Sequence, residues 1–545
     1  MKKRKLLFFL PLISLGALAS CGSENIDIKC EEKDFYNKTN EYNITSNKIN
    51  TYFINDSKLE YVNVKEFVKS LDGYLKYDTY EFVKVPFDSV YTMYYKTDSY
   101  RFRLYFNYNL DTISLNSANA LGNIVSTSDT DYTYGIKEET NKIIAEGGGE
   151  TIWDLKDLFD IHYKNDGLYI PFILANTLFC SPNYYNLYYN GDAYYGYFNS
   201  MNENPGIKTT SLNDDEHRLA NFNLIKFVMN NLYGLKGYKK INDYNTILKD
   251  YRDDMLSTDF DKYSNAYKKF FMEYLDDPHT NYYINSNFQR ERYTDYPFKD
   301  GFIKTQIDTG RELNRLKEEN EITNAIDYYD TTAIIHFDEF KTGTNEEIFD
   351  ENKNVKTTAK DADSYYFMKD SLDKINKHGN IKHIMLDLST SPGGNLAAML
   401  RVLGFITNQD ISFTQFNIIG NLAVTGTMKL DTNLDNNFND SDASIDYKWG
   451  VLTSNATYSA ANLFASIVKN QHLCNLYGEK SGGGMCTVTP IVLGDCSTVF
   501  ISGNTLLVTR NGNNSFTYLE AGVEVDFKVD RENFYKAEEI HKLFK

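Results

Sequence analysis

From residue 331 onward the chain alternates short apolar strands with helices, and that order limits the possible folds more than any other feature. Residues 332–337 read as a strand and 365–375 as a helix. Residues 381–388 form a nearly continuous apolar run of the kind buried in a parallel or mixed sheet. A glycine turn, a helix over 396–406, a strand over 450–453 and a helix over 460–468 continue the alternation. The simplest architecture is an α/β core, a mixed sheet with flanking helices. The polar stretches 341–362 and 432–447 read as surface loops.

Before this core, Leu219, Phe222, Leu224, Phe227, Val228 and Leu232 recur mostly at three- and four-residue steps, as do Tyr263, Tyr267, Phe270, Phe271 and Tyr274. Residues 217–285 therefore read as a helical segment. Residues 46–205 mix both periods and read as a separate α+β region, with an alternating strand at 100–106 and helical spacing at 64–71 and 152–159. The pieces 61–68 and 169–179 are loosely alike, as if a small α+β unit occurred twice. A stretch at 190–216 rich in Asn, Gly and Asp marks a boundary. The α/β core then spans 286–545.

The amino terminus reads as an address. Lys2 to Lys5 form a basic run, an apolar run continues to Ala17, and Leu18-Ala19-Ser20-Cys21 stands where a signal is cut. This is similar to a bacterial lipoprotein signal over 1–20, with Cys21 the lipidation site, followed by a tether over 21–45. The chain is then expected outside the cytoplasm, anchored to the cell membrane by lipid. The net charge of −18 over 545 residues, from 57 basic and 75 acidic side chains, argues against a nucleic-acid partner, which needs a basic surface. The other cysteines, Cys30, Cys180, Cys474, Cys486 and Cys496, show no CxxC spacing and admit either one disulfide within the last three or buried free thiols. The eight histidines form no HxxxH or comparable cluster, so no metal and no cofactor is expected.

Four segments could carry chemistry. In Asp276-Asp277-Pro278-His279-Thr280 the proline ends a helix and leaves His279 in a loop, free to present its imidazole. In Asp387 to Asn395 paired Gly393 and Gly394 follow a buried strand and precede a helix, where free N–H groups can meet a developing oxyanion. Ser459 sits at the start of the next helix, either as a capping residue or as an exposed nucleophile beside the Ala460 N–H. Glu520 and Glu524 flank a glycine turn, and either could orient a histidine.

In this order the segments resemble the C-terminal processing (tail-specific) peptidases and the catalytic core of tricorn protease, over about residues 217–530. His279 matches the Asp-Pro-His-Thr element, the strand ending at Gly394 matches Asn-Pro-Gly-Gly, Ser459-Ala-Ala-Asn-Leu-Phe-Ala matches Ser-Ala-Ser-Glu-Ile-Phe-Ala, and Gly478-Glu479-Lys480-Ser481-Gly482 matches the following Gly-Glu strand and turn. The resemblance implies a ClpP/crotonase-like core and a serine endopeptidase acting on proteins or peptides. The lysine of the Ser/Lys branch falls at Gly484 here, and Lys480 lies four residues early. The tricorn-like Ser/His branch fits better. It implies Ser459 as nucleophile, His279 as base, Glu520 as its support with Glu524 second, and an oxyanion hole from Gly393, Gly394 and Ala460. Too few residues separate His279 from Thr332 for an inserted PDZ module. The competing expectation is an inactive peptide- or glycan-binding lipoprotein on a peptidase scaffold, because Asn462 stands where the nucleophile segment carries Glu.

Overall fold

The computed structural model describes residues 26–96, 101–121, 125–126, 130–198, 214–284, 297–511 and 515–545. Its centre is the predicted mixed sheet. The strands run in the order Ile326–Tyr329, Thr332–His336, His383–Asp387, Lys448–Thr453, Asn475–Gly478 and Phe527–Lys528. The first pair is antiparallel and the remaining pairs are parallel. Ile384, Met385 and Leu386 are all buried, which explains the unbroken apolar run: both faces of this strand are covered. Helices Ser364–His378, Leu396–Ile406 and Ala460–Asn470 supply the crossovers. Loops after Asp387, Thr453 and Gly478 leave the carboxyl ends of neighbouring parallel strands, the edge at which open α/β sheets gather their sites.

An eight-stranded sheet is built around Thr498–Arg510, which pairs with Asn281–Ile284, Ile411–Asn417, Cys486–Val492 and Phe516–Tyr518. Residues 26–198 form two further sheets of seven and five strands. The loosely repeated pieces prove to be two strand–helix units, Tyr61–Asn63 with Val64–Ser70 and Gly167–Pro171 with Phe172–Phe179. Their strands pair antiparallel.

Three expectations need correction. The tether over 21–45 does not hold, because Ile28–Asn37 is an inner strand of the seven-stranded sheet, hydrogen-bonded on both sides. The helical spacing at 152–159 yields the strand Thr151–Asp154, since pairing with Thr112–Leu115 and burial of Trp153 against Phe227 outweigh local periodicity. The amino-terminal region is not separate either. Ile136–Glu138 and Ile144–Gly147 pair with Leu422–Leu430 of the carboxyl-terminal half, and Tyr188 Oη lies 3.2 Å from Thr498 Oγ1. Residues 297–331 hold the helix Phe302–Glu319 and the strand Ile326–Tyr329. Cys30, Cys180, Cys474, Cys486 and Cys496 are all free thiols. Cys21 and the signal lie outside the described residues. Among the described residues no helix is long and apolar enough to cross a membrane.

Candidate active site

The loop after Asp387 is held from below. Asp387 is buried and accepts from Ser389 N at 2.9 Å and from His336 Nδ1 at 2.8 Å. Beyond it Gly393 (φ 105°) and Gly394 (φ 126°) take backbone angles that a side chain would strain. Space forbids one as well. A Cβ on Gly393 would lie 2.8 Å from both Ala460 N and Ser459 Cβ, and one on Gly394 would lie 2.3 Å from Phe340 O. Among the described residues the N–H groups of Gly393, Gly394 and Ala460 make no backbone hydrogen bond. Gly393 thereby brings an unpaired amide beside the serine, with that of Gly394 next in the chain.

Ser459 begins the helix Ala460–Asn470 with φ 55° and ψ −121°, and its side chain makes no capping bond. The capping alternative therefore falls. A non-glycine residue at such angles costs about 1–3 kcal/mol and persists only where its surroundings impose it. Here Tyr458 N donates to Ser391 O at 3.0 Å, and Ser459 N donates to Gly483 O at 2.9 Å. The two bonds tie the turn to both flanking loops and leave Oγ at a half-buried position.

His279 reaches this place from the helical segment. Asp276 caps the helix Phe302–Glu319, accepting from Phe302 N at 2.6 Å and Ile303 N at 2.9 Å. Asp277 is buried and accepts from His279 N, Thr280 Oγ1 and Tyr233 Oη at 3.0, 2.7 and 3.1 Å. The His279 ring packs edge-on against Tyr458, the residue before the serine, with centroids 4.8 Å apart. Neither ring nitrogen has a hydrogen-bond partner. Burial pulls the imidazole pKa below its ordinary value, and the Asp277 charge opposes this only in part. The expected Ser459–His279–Glu520 hydrogen-bonded relay is thus not formed in this state, although loops carrying all three residues converge.

Glu520 is also buried. Its Oε2 accepts from Met485 N at 2.9 Å rather than from the imidazole, and burial followed by the Asp277 charge pushes its carboxyl up. Glu524, the second choice, is exposed and paired with Lys480 at 3.1 Å. Lys480 thus faces a surface carboxylate. At Gly484 (φ 81°) a Cβ would lie 2.5 Å from Tyr458 Cζ, so the tyrosine ring covers the position at which the lysine would begin. Asn462 donates from Nδ2 to Leu519 O at 3.0 Å and accepts from Ser481 Oγ at 2.7 Å, tying the helix Ala460–Asn470 to the segments around Leu519 and Ser481. Among the described residues no three His, Cys, Asp or Glu side chains gather to hold a metal.

Two neighbours carry no role in the sequence reading. Tyr458 is buried with an unpartnered hydroxyl, and Asp277 is the carboxylate whose charge acts on His279. Asp277 adjoins His279 in sequence, and Tyr458 adjoins Ser459. The burial that makes them matter has no local signature.

No curated protein sequence matches the chain. Among solved structures, the photosystem II D1 C-terminal processing protease is 16% identical with a TM-score of 0.26, over 37% of this chain and 43% of that one. A lipoprotein from Streptococcus agalactiae is 13% identical with a TM-score of 0.35, over 59% and 94%. Tricorn protease is 10% identical with a TM-score of 0.33, over 84% and 45%. The chain thus spans less than half the length of two of these three proteins. Residues 331–529, which include Gly393, Gly394, Ser459, Ala460 and Glu520 but not His279, match the family model Peptidase family S41.

Proposed function

We propose that the protein is a serine endopeptidase that hydrolyses peptide bonds of proteins or peptides through an acyl-enzyme. One observation carries this reading: Ser459 is held at strained backbone angles with its side chain uncommitted, beside three amides that make no backbone bond. Ser459 Oγ attacks the scissile carbonyl carbon while its proton passes to His279. Ala460 and one of Gly393 and Gly394 donate to the carbonyl oxygen as it becomes negative. His279 returns the proton to the amine as the C–N bond breaks, and water then releases the acyl group by the same steps in reverse roles. Burial keeps His279 neutral near pH 7, the form that can accept a proton. Asp277 and Glu520 are the carboxylates available to stabilise the imidazolium. Substrate must turn the ring from Tyr458 toward Ser459, a tightening common between unliganded and substrate-bound sites.

In this reading the base is His279 rather than Lys480, as in the tricorn-like, Ser/His branch of the tail-specific peptidases; the exposed Lys480–Glu524 pair supports it. The basic and apolar runs before Cys21 support a lipidated, extracytoplasmic chain. Cys21→Ser in the full chain should move the protein from the membrane to the soluble fraction.

A second reading, an inactive peptide- or glycan-binding lipoprotein, is favoured by the unbonded imidazole and by the structural use of Asn462. A serine-directed fluorophosphonate separates the two. Labelling that disappears in Ser459→Ala supports the peptidase; a folded protein that takes no label supports the binder.

A further inference from the structure

The polar loop between the strand Leu422–Leu430 and Ala443 has the sequence Asp431-Thr-Asn433-Leu-Asp435-Asn-Asn437-Phe-Asn439-Asp-Ser-Asp442. Oxygen-bearing side chains recur at loop positions 1, 3, 5, 7, 9 and 12, the spacing by which a twelve-residue loop wraps a calcium ion. Position 6 of such a loop needs a sharp turn, normally glycine. Asn436 stands there with φ 63°, and its N–H donates to Asp431 Oδ2 at 2.7 Å. That bond turns the Asp431 carboxylate inward. Asp442 closes the loop, accepting at Oδ1 from Thr432 N at 3.1 Å and at Oδ2 from Asn439 N at 2.8 Å.

An independent observation points to a ligand. Asp431 is only 3% exposed, yet its Oδ1 has no hydrogen-bond partner. Asp442 is 4% exposed, the Asp431 charge acts on it unfavourably, and neither carboxylate pairs with a Lys or Arg among the described residues. Two buried, mutually repelling carboxylates with a bare oxygen are costly unless a cation joins them. We infer that this loop is a calcium site, with Asp431, Asn433, Asp435 and Asp442 offering side-chain oxygens, Asn437 its peptide carbonyl and Asn439 a contact through water. The donors are all oxygen, the choice of a hard cation, and too numerous and irregular for the octahedron that magnesium demands. No three carboxylates gather at the loop in this structure, so the exposed Asp435 must turn inward on binding to join the buried Asp431 and Asp442, and amide and peptide oxygens complete the set.

The position gives the ion a structural task. Thr432 O accepts from Tyr365 Oη at 2.9 Å, and Ser444 N donates to Phe405 O at 2.9 Å. The loop and the residues just after it are thereby fastened to two helices, Ser364–His378 through Tyr365 and Leu396–Ile406 through Phe405, the second of which begins just after Gly393 and Gly394. Calcium would brace that helix. The inference rests on the loop and not on the peptidase reading.

The test is calcium titration of the full, chelator-stripped chain by calorimetry, with melting temperature read in calcium, magnesium and chelator. One calcium should bind, raise the melting temperature and outcompete magnesium. Asp435 is exposed and accepts only from Asn437 N, so Asp435→Asn should fold normally and weaken binding at least about tenfold, as loss of ligand charge does in such loops. Asp431→Asn should lose binding, with normal circular dichroism showing that the fold survives. Absence of binding at about 10 mM calcium, beyond the weakest class of such sites, overturns the inference. So does a folded Asp435→Asn that binds as tightly as the parent, or magnesium that binds equally well.

Discussion

Two buried histidines of this molecule, one bonded to Asp387 before the Gly393 loop and one packed on Tyr458 before Ser459, are treated in opposite ways. His336 is 8% exposed and fully bonded, Nδ1 to Asp387 at 2.8 Å and Nε2 to Asp327 at 3.2 Å. Burial alone would lower its pKa, but the hydrogen bonds and charges of the two carboxylates more than offset it and lift it to about 9. His279 is equally buried, bonded to nothing through its ring, and shifted down. At neutral pH the first is a fixed cation and the second a neutral base. The cation bridges the ends of strands Ile326–Tyr329, Thr332–His336 and His383–Asp387, directly beneath the Gly393 loop. Satisfied polar groups build the site; unsatisfied ones are left for chemistry.

The most severe break of this contrast is removal of the reacting pair. Ser459→Ala, and separately His279→Gln, should lower kcat by about 10⁴-fold or more on a peptide substrate, with the double variant no worse than the singles. Equal full loss in all three would show a single unit; additive losses would separate His279 from Ser459. Gly393→Ala comes next. Its Cβ would press on Ser459 and Ala460, so kcat should fall by about 10²-fold to 10³-fold, the scale of a lost oxyanion donor, with KM little changed.

His336→Asn strikes the structural histidine. It leaves buried Asp387 without its partner and should cost about 3 kcal/mol in urea unfolding, whereas His279→Gln should cost much less, since it breaks no ring hydrogen bond. A smaller effect is expected with pH. The folded-state pKa of His336 is raised above 6.5, so its stabilisation is complete below that pH and is lost as pH rises through about 9. Melting temperature should therefore fall between pH 7 and pH 10, and less so in His336→Asn. The acid limb of kcat/KM should instead lie below 6.5, following the depressed pKa of His279. Lys480→Ala should change kcat less than about twofold, the modest consequence of breaking an exposed ion pair. A dead Lys480→Ala with an active His279→Gln would reverse the base assignment.

Much of the catalytic half was legible in the chain. The parallel core showed through the apolar run at 381–388, and the helix at 396–406 has the bounds its periodicity predicts. The Ser459 turn and the glycine pair were found because their residue types are rare in that order. Trp153 shows where the same reasoning fails: a short apolar pattern fits helix or strand, and pairing with Thr112–Leu115 decides. The acidic loop at 431–442 reads from sequence as a surface loop, because histidine and cysteine spacing marks nitrogen and sulfur donors and leaves an all-oxygen set without a signal.

Periodicity, chain order and residue chemistry sufficed for the α/β core, the nucleophile turn and the amide donors, because each depends on neighbours within about a dozen residues. Tertiary structure alone decided the state of His279, the pairing of Lys480 with Glu524, the inner strand at 28–37 and the joining of 136–147 to the catalytic sheet. Desolvation and strand pairing depend on what long-range packing brings to a group, and the residue's own sequence surroundings do not record it.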